Sequence, residues 1–192
     1  MAYQKHMLDY HANLEASHYF ESPFYEWPFD VQNIWYYGDS NLKSTVNASS
    51  IVCLRNPITW WAGFVSIVIL LIDLIRKKAK GMAAVMVGFL SAYLPWVVIS
   101  RLTFIYHYFT AVPFIIIALG YVFNKLSNMA VLNKPIINKG VLAKIRLCDF
   151  IAVSFLIISL IMFVIFYPAI SGAESNYYYL KSLEWLPEWY FI

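Results

Sequence analysis

Four long apolar runs divide this chain, and each is long enough to cross a lipid bilayer. They extend over residues 58–75, 82–99, 102–123 and 148–167. About 20 apolar residues in a helix cross the roughly 30 Å hydrocarbon core of a membrane, and a helix satisfies its own backbone hydrogen bonds there. We therefore expect an all-α membrane protein in which residues 57–167 form a bundle of four transmembrane helices.

The composition of the 192 residues agrees with a membrane location. Hydrophobic residues make up 61% of the chain and charged residues 13%, whereas about a quarter of a soluble domain is charged. The lipid bilayer is therefore an expected partner. Because the basic residues stand beside the apolar runs, the net charge of +3 indicates membrane topology, and nucleic acid is not an expected partner.

Lysine and arginine are concentrated in the two loops that follow the first and third apolar runs. Such loops usually face the cytoplasm, so both ends of the chain are expected on the extracytoplasmic side. Residues 1–56 would form one extracytoplasmic segment, and residues 168–192 a shorter extracytoplasmic tail. The basic residues of the two loops are Arg76, Lys77, Lys78 and Lys80, then Lys125, Lys134, Lys139, Lys144 and Arg146.

The first segment begins with a pattern typical of an amphipathic helix. Four apolar residues recur at helical spacing: Tyr3, Met7, Tyr10 and Leu14. This pattern predicts a helix over residues 2 to about 20 that lies on the membrane surface. The same residues lack the continuous apolar core of a signal peptide, and we therefore expect the chain to be part of a longer protein.

An aromatic-rich stretch, expected to be a loop, follows at residues 22–37. It holds Phe24, Tyr25, Trp27, Phe29, Trp35, Tyr36 and Tyr37. One interpretation is an interfacial aromatic belt, as in many membrane proteins, and the other is a platform on which a sugar or a peptide stacks. The composition favours the belt, and Trp60 and Trp61 are expected to anchor the first span in the same way.

Three polar side chains of the first segment, His11, Glu15 and His18, would share one face of the predicted helix. Two imidazoles and a carboxylate can bind zinc. This spacing matches no established metal signature, however, so no metal site is expected. The acidic residues of this segment, Asp9, Glu15 and Glu21, are expected to face water on the same helix, and none of them is predicted to be a catalytic base.

The start of the third apolar run carries the clearest functional signal. Arg101 lies in a very short turn, and His107 lies about one and a half helical turns further in. An ionisable residue at membrane depth is a functional-site hypothesis by default. In that hypothesis Arg101 binds a lipid phosphate, and Tyr106, His107 and Tyr108 shape the adjoining pocket. The alternative is that Arg101 reaches the head groups and His107 makes an interhelical hydrogen bond.

Several separated motifs keep one order along nearly the whole chain. The first segment holds Tyr10, His11, Leu14, His18, Ser22, Pro23, Trp27, Pro28, Trp35, Tyr36 and Tyr37. Around the spans stand Asn56, Pro57, Trp60, Trp61, Arg101, residues 103–109, Pro113 and Phe114, and near the end Tyr167, Pro168, residues 170–172, Leu183, Trp185, Pro187 and Trp189. Together they resemble the C-terminal four-helix region of the protein O-mannosyltransferase family. Three positions depart from the family pattern: Tyr19, Arg55 and Thr110.

This resemblance implies the C-terminal part of a large glycosyltransferase of the GT-C type in a bacterial plasma membrane. The implied reaction moves mannose, or a similar sugar, from a polyprenyl-phosphate donor to a Ser or Thr hydroxyl of an acceptor protein. In the family the catalytic acidic pair lies in the first extracytoplasmic loop, upstream of this region. The chain alone is therefore expected to be inactive and to hold no catalytic residue, and no cofactor is implied. Its expected partner within the enzyme is the N-terminal half, and its expected substrate-binding residues are Arg101, Tyr106, His107, Tyr108, His11, His18 and Trp27.

Two other classes of protein fit the same pattern. A transporter or channel subunit would normally show polar or interrupted helices along a path, and only Arg101, His107 and Pro95 interrupt the apolar runs near one face. A non-catalytic membrane scaffold needs only an aromatic belt and basic loops. The scaffold and the enzyme differ at His107, whose substitution should change stability alone in a scaffold and abolish transfer in an enzyme.

Overall fold

The computed structural model of the chain describes residues 2–12, 17–40, 46–79, 81–99, 101–135 and 146–192. Its first elements are α1 (Ala2–Ala12), a 3₁₀ helix (Phe24–Phe29), β1 (Ile34–Ser40), β2 (Asn47–Cys53) and α2 (Pro57–Ile75). Then follow α3 (Ala83–Tyr93), which continues as a 3₁₀ helix (Leu94–Val98), and a further 3₁₀ helix (Ile105–Ala111), which continues as α4 (Val112–Ser127). The last elements are α5 (Leu147–Ser171), β3 (Ser175–Asn176) and α6 (Tyr177–Ser182).

Three of the described helices are long and apolar enough to cross a membrane. They are Pro57–Ile75, Ile105–Ser127 and Leu147–Ser171, so the first, third and fourth predicted spans are confirmed as apolar helices of sufficient length. The predicted second span forms a shorter apolar helix, Ala83–Val98. Its last turns become 3₁₀ around Pro95, because proline has no N–H to donate to the α-helical pattern.

The start of α2 shows how the sequence sets the position of a helix. The side chain of Asn56 accepts a hydrogen bond from the backbone N–H of Thr59 (3.2 Å), and Pro57 occupies the first turn. Both features are typical of helix N-termini. Asn56 also donates to the carbonyl of Ser159 in α5 (2.7 Å), so the same residue that begins α2 fixes its contact with α5.

The prediction of an all-α fold is wrong for residues 34–40 and 47–53, which form strands, and residues 34–37 belong to the predicted aromatic loop. β1 and β2 form an antiparallel pair, with an irregularity between Trp35 and Tyr37, and β3 adds a short third strand beside β2. The sheet packs against the second half of α5, where Gly172 N–H donates to the Ser50 carbonyl (2.9 Å). The aromatic residues of β1 are also good strand formers. The sequence pattern alone therefore did not distinguish a strand from an aromatic loop at the membrane interface.

The predicted helix over residues 2–20 is wrong in its extent. The described part of α1 is Ala2–Ala12, and Ser17 and His18, the next described residues, are not helical. The helix face proposed to join His11, Glu15 and His18 therefore does not form. Glu15 and the side chain of His11 lie outside the described residues. The apolar side chains of α1 that were placed on the membrane surface are exposed: Tyr3, Met7 and Tyr10.

Two apolar cores divide the described structure. One lies among α2, α3, α4 and the aromatic segment before β1, and its largest buried side chains include Trp27, Trp60 and Tyr108. The other lies among the sheet, the end of α5 and the chain's last residues, where Trp189 and Phe191 are buried. The predicted tail is thus a folded part of the molecule, since it returns to the sheet and covers it.

Candidate functional site

Residues 22–30, which we call the cap segment, lie over the end of the bundle where α2 and α4 begin and α3 ends. Three indole N–H groups donate to carbonyls of this segment: Trp60 to Trp27 (2.8 Å), Trp61 to Phe29 (3.0 Å) and Trp189 to Asp30 (2.8 Å). The prediction that Trp60 is a membrane anchor is wrong, because its ring is buried. Tryptophan satisfies its N–H when buried, and here it does so by holding the cap segment in place.

A second set of bonds joins the cap segment to the residues that precede His107. Ser22 N–H donates to the Thr103 carbonyl (2.9 Å), and the Thr103 hydroxyl donates to the Ser22 carbonyl (2.8 Å). The Trp27 indole donates to the same carbonyl of Ser22 (3.1 Å). The Tyr93 hydroxyl donates to the carbonyl of Phe24 (2.9 Å). The cap segment and the turn at residues 101–104 therefore form one hydrogen-bonded unit.

His107 lies in the 3₁₀ helix Ile105–Ala111 and is surrounded by aromatic rings. Its ring centroid is 4.0 Å from Trp96, 4.4 Å from Tyr106 and 6.0 Å from Trp27. Nδ1 contacts the backbone of Phe104, at 3.1 Å from N and 2.9 Å from O, and this contact restrains one edge of the ring. Nε2 is thus the nitrogen that remains for contact with another group, and its role as donor or acceptor follows from the tautomer.

The structure places the predicted site residues in two groups. Arg101 and Tyr106 are exposed, and the half-buried His107 interacts electrostatically with Arg101. These three side chains form an accessible surface at the end of the bundle. Trp27 and Tyr108 are 0% and 1% exposed, so neither presents a free face to a ligand. Their predicted direct contact with substrate finds no support in this geometry, and both rings support the His107 cluster from behind.

The two predicted histidines of the first segment have different outcomes. His18 is exposed, and its ring contacts Phe104 edge-on at 5.3 Å, which brings it to the border of the His107 cluster. His11 belongs to α1, and its side chain is outside the described residues. The described residues contain no group of three metal-ligating side chains.

Sequence reasoning missed a buried ion pair between Arg55 and Asp30. The Arg55 and Asp30 side chains are 5% and 0% exposed, and the Arg55 guanidinium also donates to the Cys53 carbonyl (3.3 Å). Burial raises the pKa of Asp30, and the adjacent Arg55 opposes that shift. The two residues are 25 positions apart in sequence, and Arg55 was noted only as a departure from the family pattern.

A cavity of about 410 Å³ opens between the starts of α2 and α4. Small-molecule sites commonly have volumes of about 300–1,000 Å³. Its polar lining comes from Arg55, Asn56 and Thr59, and its apolar walls come from Trp60 and from residues between Phe109 and Ile116. The cavity therefore adjoins the ion pair and the 3₁₀ helix that carries His107.

The opposite end of the bundle carries a second ion pair, which was also missed. Asp73 of α2 is almost fully buried and pairs with Lys125 of α4, whose side chain is 43% exposed. The Tyr121 hydroxyl donates to the same carboxylate (3.0 Å). This cluster ties the two helices together near the basic loops and lies far from the His107 cluster.

Comparison with known proteins gives consistent matches over almost the whole chain. The family model for the C-terminal four TMM region of protein-O-mannosyltransferase matches residues 1–189. A polyprenol-phosphate-mannose–protein mannosyltransferase of Corynebacterium glutamicum is 24% identical over 97% of this chain and 36% of that protein. The dolichyl-phosphate-mannose–protein mannosyltransferase 1 of Saccharomyces cerevisiae is 27% identical over 96% of this chain and 23% of that protein. The chain therefore spans about a quarter to a third of the length of these relatives.

A solved structure has the same fold. It is the protein O-mannosyltransferase Pmt1–Pmt2 complex of S. cerevisiae bound to the sugar donor, which matches with a TM-score of 0.78 and 24% identity, over 98% of this chain and 26% of that chain. At this identity the likeness concerns the fold. Because the family model covers all but the last residues, the chain belongs to the protein O-mannosyltransferase family and matches its C-terminal four-transmembrane region.

Proposed function

We propose that this chain is the C-terminal part of a membrane glycosyltransferase that moves mannose from a polyprenyl-phosphate carrier to Ser or Thr hydroxyls of proteins. The observation that carries the proposal is the family match over residues 1–189. Both curated relatives are named as mannosyltransferases that use a lipid-phosphate mannose and act on proteins. The N-terminal part of the same enzyme and the acceptor protein are the partners that this function requires.

The proposed topology has four membrane crossings, with both ends of the chain on the extracytoplasmic side of a bacterial plasma membrane. The apolar helix Ala83–Val98 would make the short second crossing. Basic residues at the end of α2 and the start of α5, Arg76 and Arg146, stand at the end of the bundle opposite the cap segment. This arrangement agrees with the distribution of positive charge in membrane proteins and supports the proposal that the cap segment lies on the extracytoplasmic side.

The exposed surface formed by Arg101, Tyr106 and His107 is the part of the chain best suited to the donor. A guanidinium can pair with a phosphate through parallel hydrogen bonds, and the charge of Arg101 acts on the His107 ring. Tyr106 offers a partly exposed ring on which a sugar face could stack, and His107 Nε2 offers one hydrogen-bonding atom to a hydroxyl or phosphate oxygen. The departing lipid phosphate gains negative charge during transfer, so a positive charge held there lowers the barrier.

The proton of the acceptor hydroxyl needs a general base. We assign that role to a carboxylate in the N-terminal part of the enzyme. Asp30 of the cap segment does not fit this role, since it is buried and paired with Arg55. In this mechanism the chain positions the donor, and the N-terminal part of the enzyme removes the proton of the acceptor hydroxyl.

The test is mannose transfer by the complete protein in membranes, from radiolabelled polyprenyl-phosphate mannose to an acceptor peptide with one Ser or Thr. Wild-type protein is expected to transfer label, and Arg101→Ala is expected to reduce kcat/KM for the donor by about 100-fold, the loss of one charge-assisted contact. Arg76→Ala, which removes an exposed arginine at the opposite end of the bundle, is the control and should retain activity. Transfer that is equal in all three proteins would assign the chain a scaffold role.

A further inference from the structure

The Asp30–Arg55 pair is buried where the cap segment meets the start of α2. The side chains of Arg55 and Asp30 are 5% and 0% exposed. Asn56, the neighbour of Arg55, donates to the carbonyl of Ser159 in α5, so this end of α2 is also fixed to α5. Removing two charged side chains from water carries a large desolvation cost, so their burial needs an explanation beyond packing.

The pair closes a ring of contacts around Trp27. Asp30 ends the 3₁₀ helix of the cap segment in a left-handed conformation (φ 57°) and donates its N–H to the Trp27 carbonyl (3.2 Å). The Arg55 guanidinium lies over the Trp60 ring, 5.1 Å from its centroid. The Trp60 indole donates to the same Trp27 carbonyl (2.8 Å). Both members of the pair therefore reach Trp27, one through the cap segment and one through Trp60.

Stability alone does not explain the pair. Asp30 Oδ2 and Arg55 Nε are buried, and neither has a hydrogen-bond partner among the described residues. A buried ion pair offsets its desolvation cost only when its remaining polar atoms are also satisfied. A fixed geometry is the better explanation, since Asp30 has a second restraint in the Trp189 indole bond to its carbonyl.

We propose that Asp30 and Arg55 are positioning residues, which hold Trp27 against His107 and thereby set the orientation of the His107 ring for transfer. The proposal rests on the proposed function and adds two residues to it. Neither residue touches the donor in this account. Each acts through Trp27, whose ring centroid is 6.0 Å from that of His107.

The test compares four variants of the complete enzyme at equal amounts of folded protein: Arg55→Gln, Asp30→Asn, the double variant, and Arg76→Gln as an exposed control. Each single variant leaves one buried charge without its partner, so kcat is expected to fall about tenfold with donor KM changed less than about threefold. The double variant carries no unpaired charge and is expected to recover kcat to within about threefold of wild type. Arg76→Gln should match wild type.

The pH dependence separates the two single variants. In Arg55→Gln the buried Asp30 carboxyl can take up a proton, and burial already raises its pKa, so activity relative to wild type should recover as the pH is lowered. In Asp30→Asn the arginine cannot lose its proton, and no such recovery is expected. Equal pH profiles of the two variants would contradict the proposal.

Hydrogen exchange gives a readout that is independent of transfer. Faster exchange in residues 22–30 and 104–108 is expected in each single variant, with wild-type rates in the double variant and unchanged rates at the Asp73 end of the bundle.

Single variants with wild-type kcat, or a double variant in which the two losses simply add, would overturn the positioning role. If the single variants do not accumulate, Arg55→Lys, which keeps the charge and loses the planar stacking on Trp60, must show both slower turnover and faster exchange in the cap segment. Wild-type behaviour of Arg55→Lys would equally overturn it. Absence of transfer by wild-type protein would contradict the proposed function instead, and the exchange measurement would still decide the positioning role.

Discussion

The two ends of the helical bundle are held together by different kinds of contact. At the end under the cap segment, both members of the Asp30–Arg55 pair are buried, and indole and hydroxyl groups bond to backbone carbonyls around them. At the other end, Asp73 pairs with Lys125, which is 43% exposed. A buried network of hydrogen bonds holds its side chains in fixed orientations and so gives a pre-organised surface. A half-exposed ion pair joins two helices but tolerates substitution of its residues. This difference supports a functional role for the cap end.

Trp27→Ala should have the largest effect on stability of any single change at the cap end. The indole is fully buried and is packed against Trp96, His107 and Tyr108. Its loss should lower the free energy of unfolding by about 3–5 kcal/mol, measured by thermal unfolding of the complete protein in detergent. Tyr25→Ala removes an exposed ring of the same segment and is the control. A similar loss in both variants would contradict the account of the cap core.

Arg55→Gln should have the next largest effect, a loss of about 3 kcal/mol, because it leaves the Asp30 carboxylate buried without its partner. Burial raises the pKa of Asp30 from its ordinary value of 3.8. A group whose pKa is raised in the folded state contributes most to the free energy of unfolding below its unfolded-state pKa. This contribution is lost as the pH rises through the pKa of the folded state. The destabilisation should therefore shrink as the pH is lowered toward 4, and a loss that does not depend on pH would count against a charged Asp30.

Thr103→Val should cost about 1 kcal/mol, because it removes one hydroxyl donor and keeps the side-chain shape. The Ser22 carbonyl would still accept from Trp27, which limits the loss. Thr110→Val is the matched control, since the Thr110 hydroxyl bonds within its own helix turn, to the His107 carbonyl (3.0 Å), and Thr110 is exposed. An equal change in melting temperature for both variants would show that the link between Ser22 and Thr103 adds little.

Lys125→Gln at the opposite end should have the smallest effect, about 1 kcal/mol or less, because the Lys125 side chain is 43% exposed and solvent screens its charge, and because Tyr121 still donates to the buried Asp73 carboxylate. Transfer activity should remain within about twofold of wild type. A larger loss of stability in this variant than in Arg55→Gln would contradict the conclusion that the cap end is held by the stronger contacts.

Much of the helical framework could be predicted from the sequence, because length and apolar content alone identify a span. The start of α2 at Asn56 and Pro57 follows from local capping chemistry, and three predicted spans correspond to long apolar helices. The strands were missed because Trp35, Tyr36 and Tyr37 are equally typical of a membrane interface and of a strand. The helix was predicted to extend to about residue 20 because no strong stop signal precedes Pro23, whereas Ser17 and His18 are not helical.

The candidate site was only partly predictable for a similar reason. Arg101, Tyr106 and His107 are close in sequence, so their shared surface follows from local structure. The packing of Trp27 on His107 and the pairing of Asp30 with Arg55 join distant segments. Sequence spacing carries no information about such contacts, and they became visible only in the folded chain.

Transfer by His107→Ala and Lys125→Gln in the complete enzyme decides whether the cap end is the functional surface, when the two are compared at equal amounts of folded protein with labelled polyprenyl-phosphate mannose. We expect His107→Ala to lose at least about tenfold in kcat/KM and Lys125→Gln to retain nearly full activity. Equal activity of the two variants would contradict the assignment of the cap end as the functional surface of this chain.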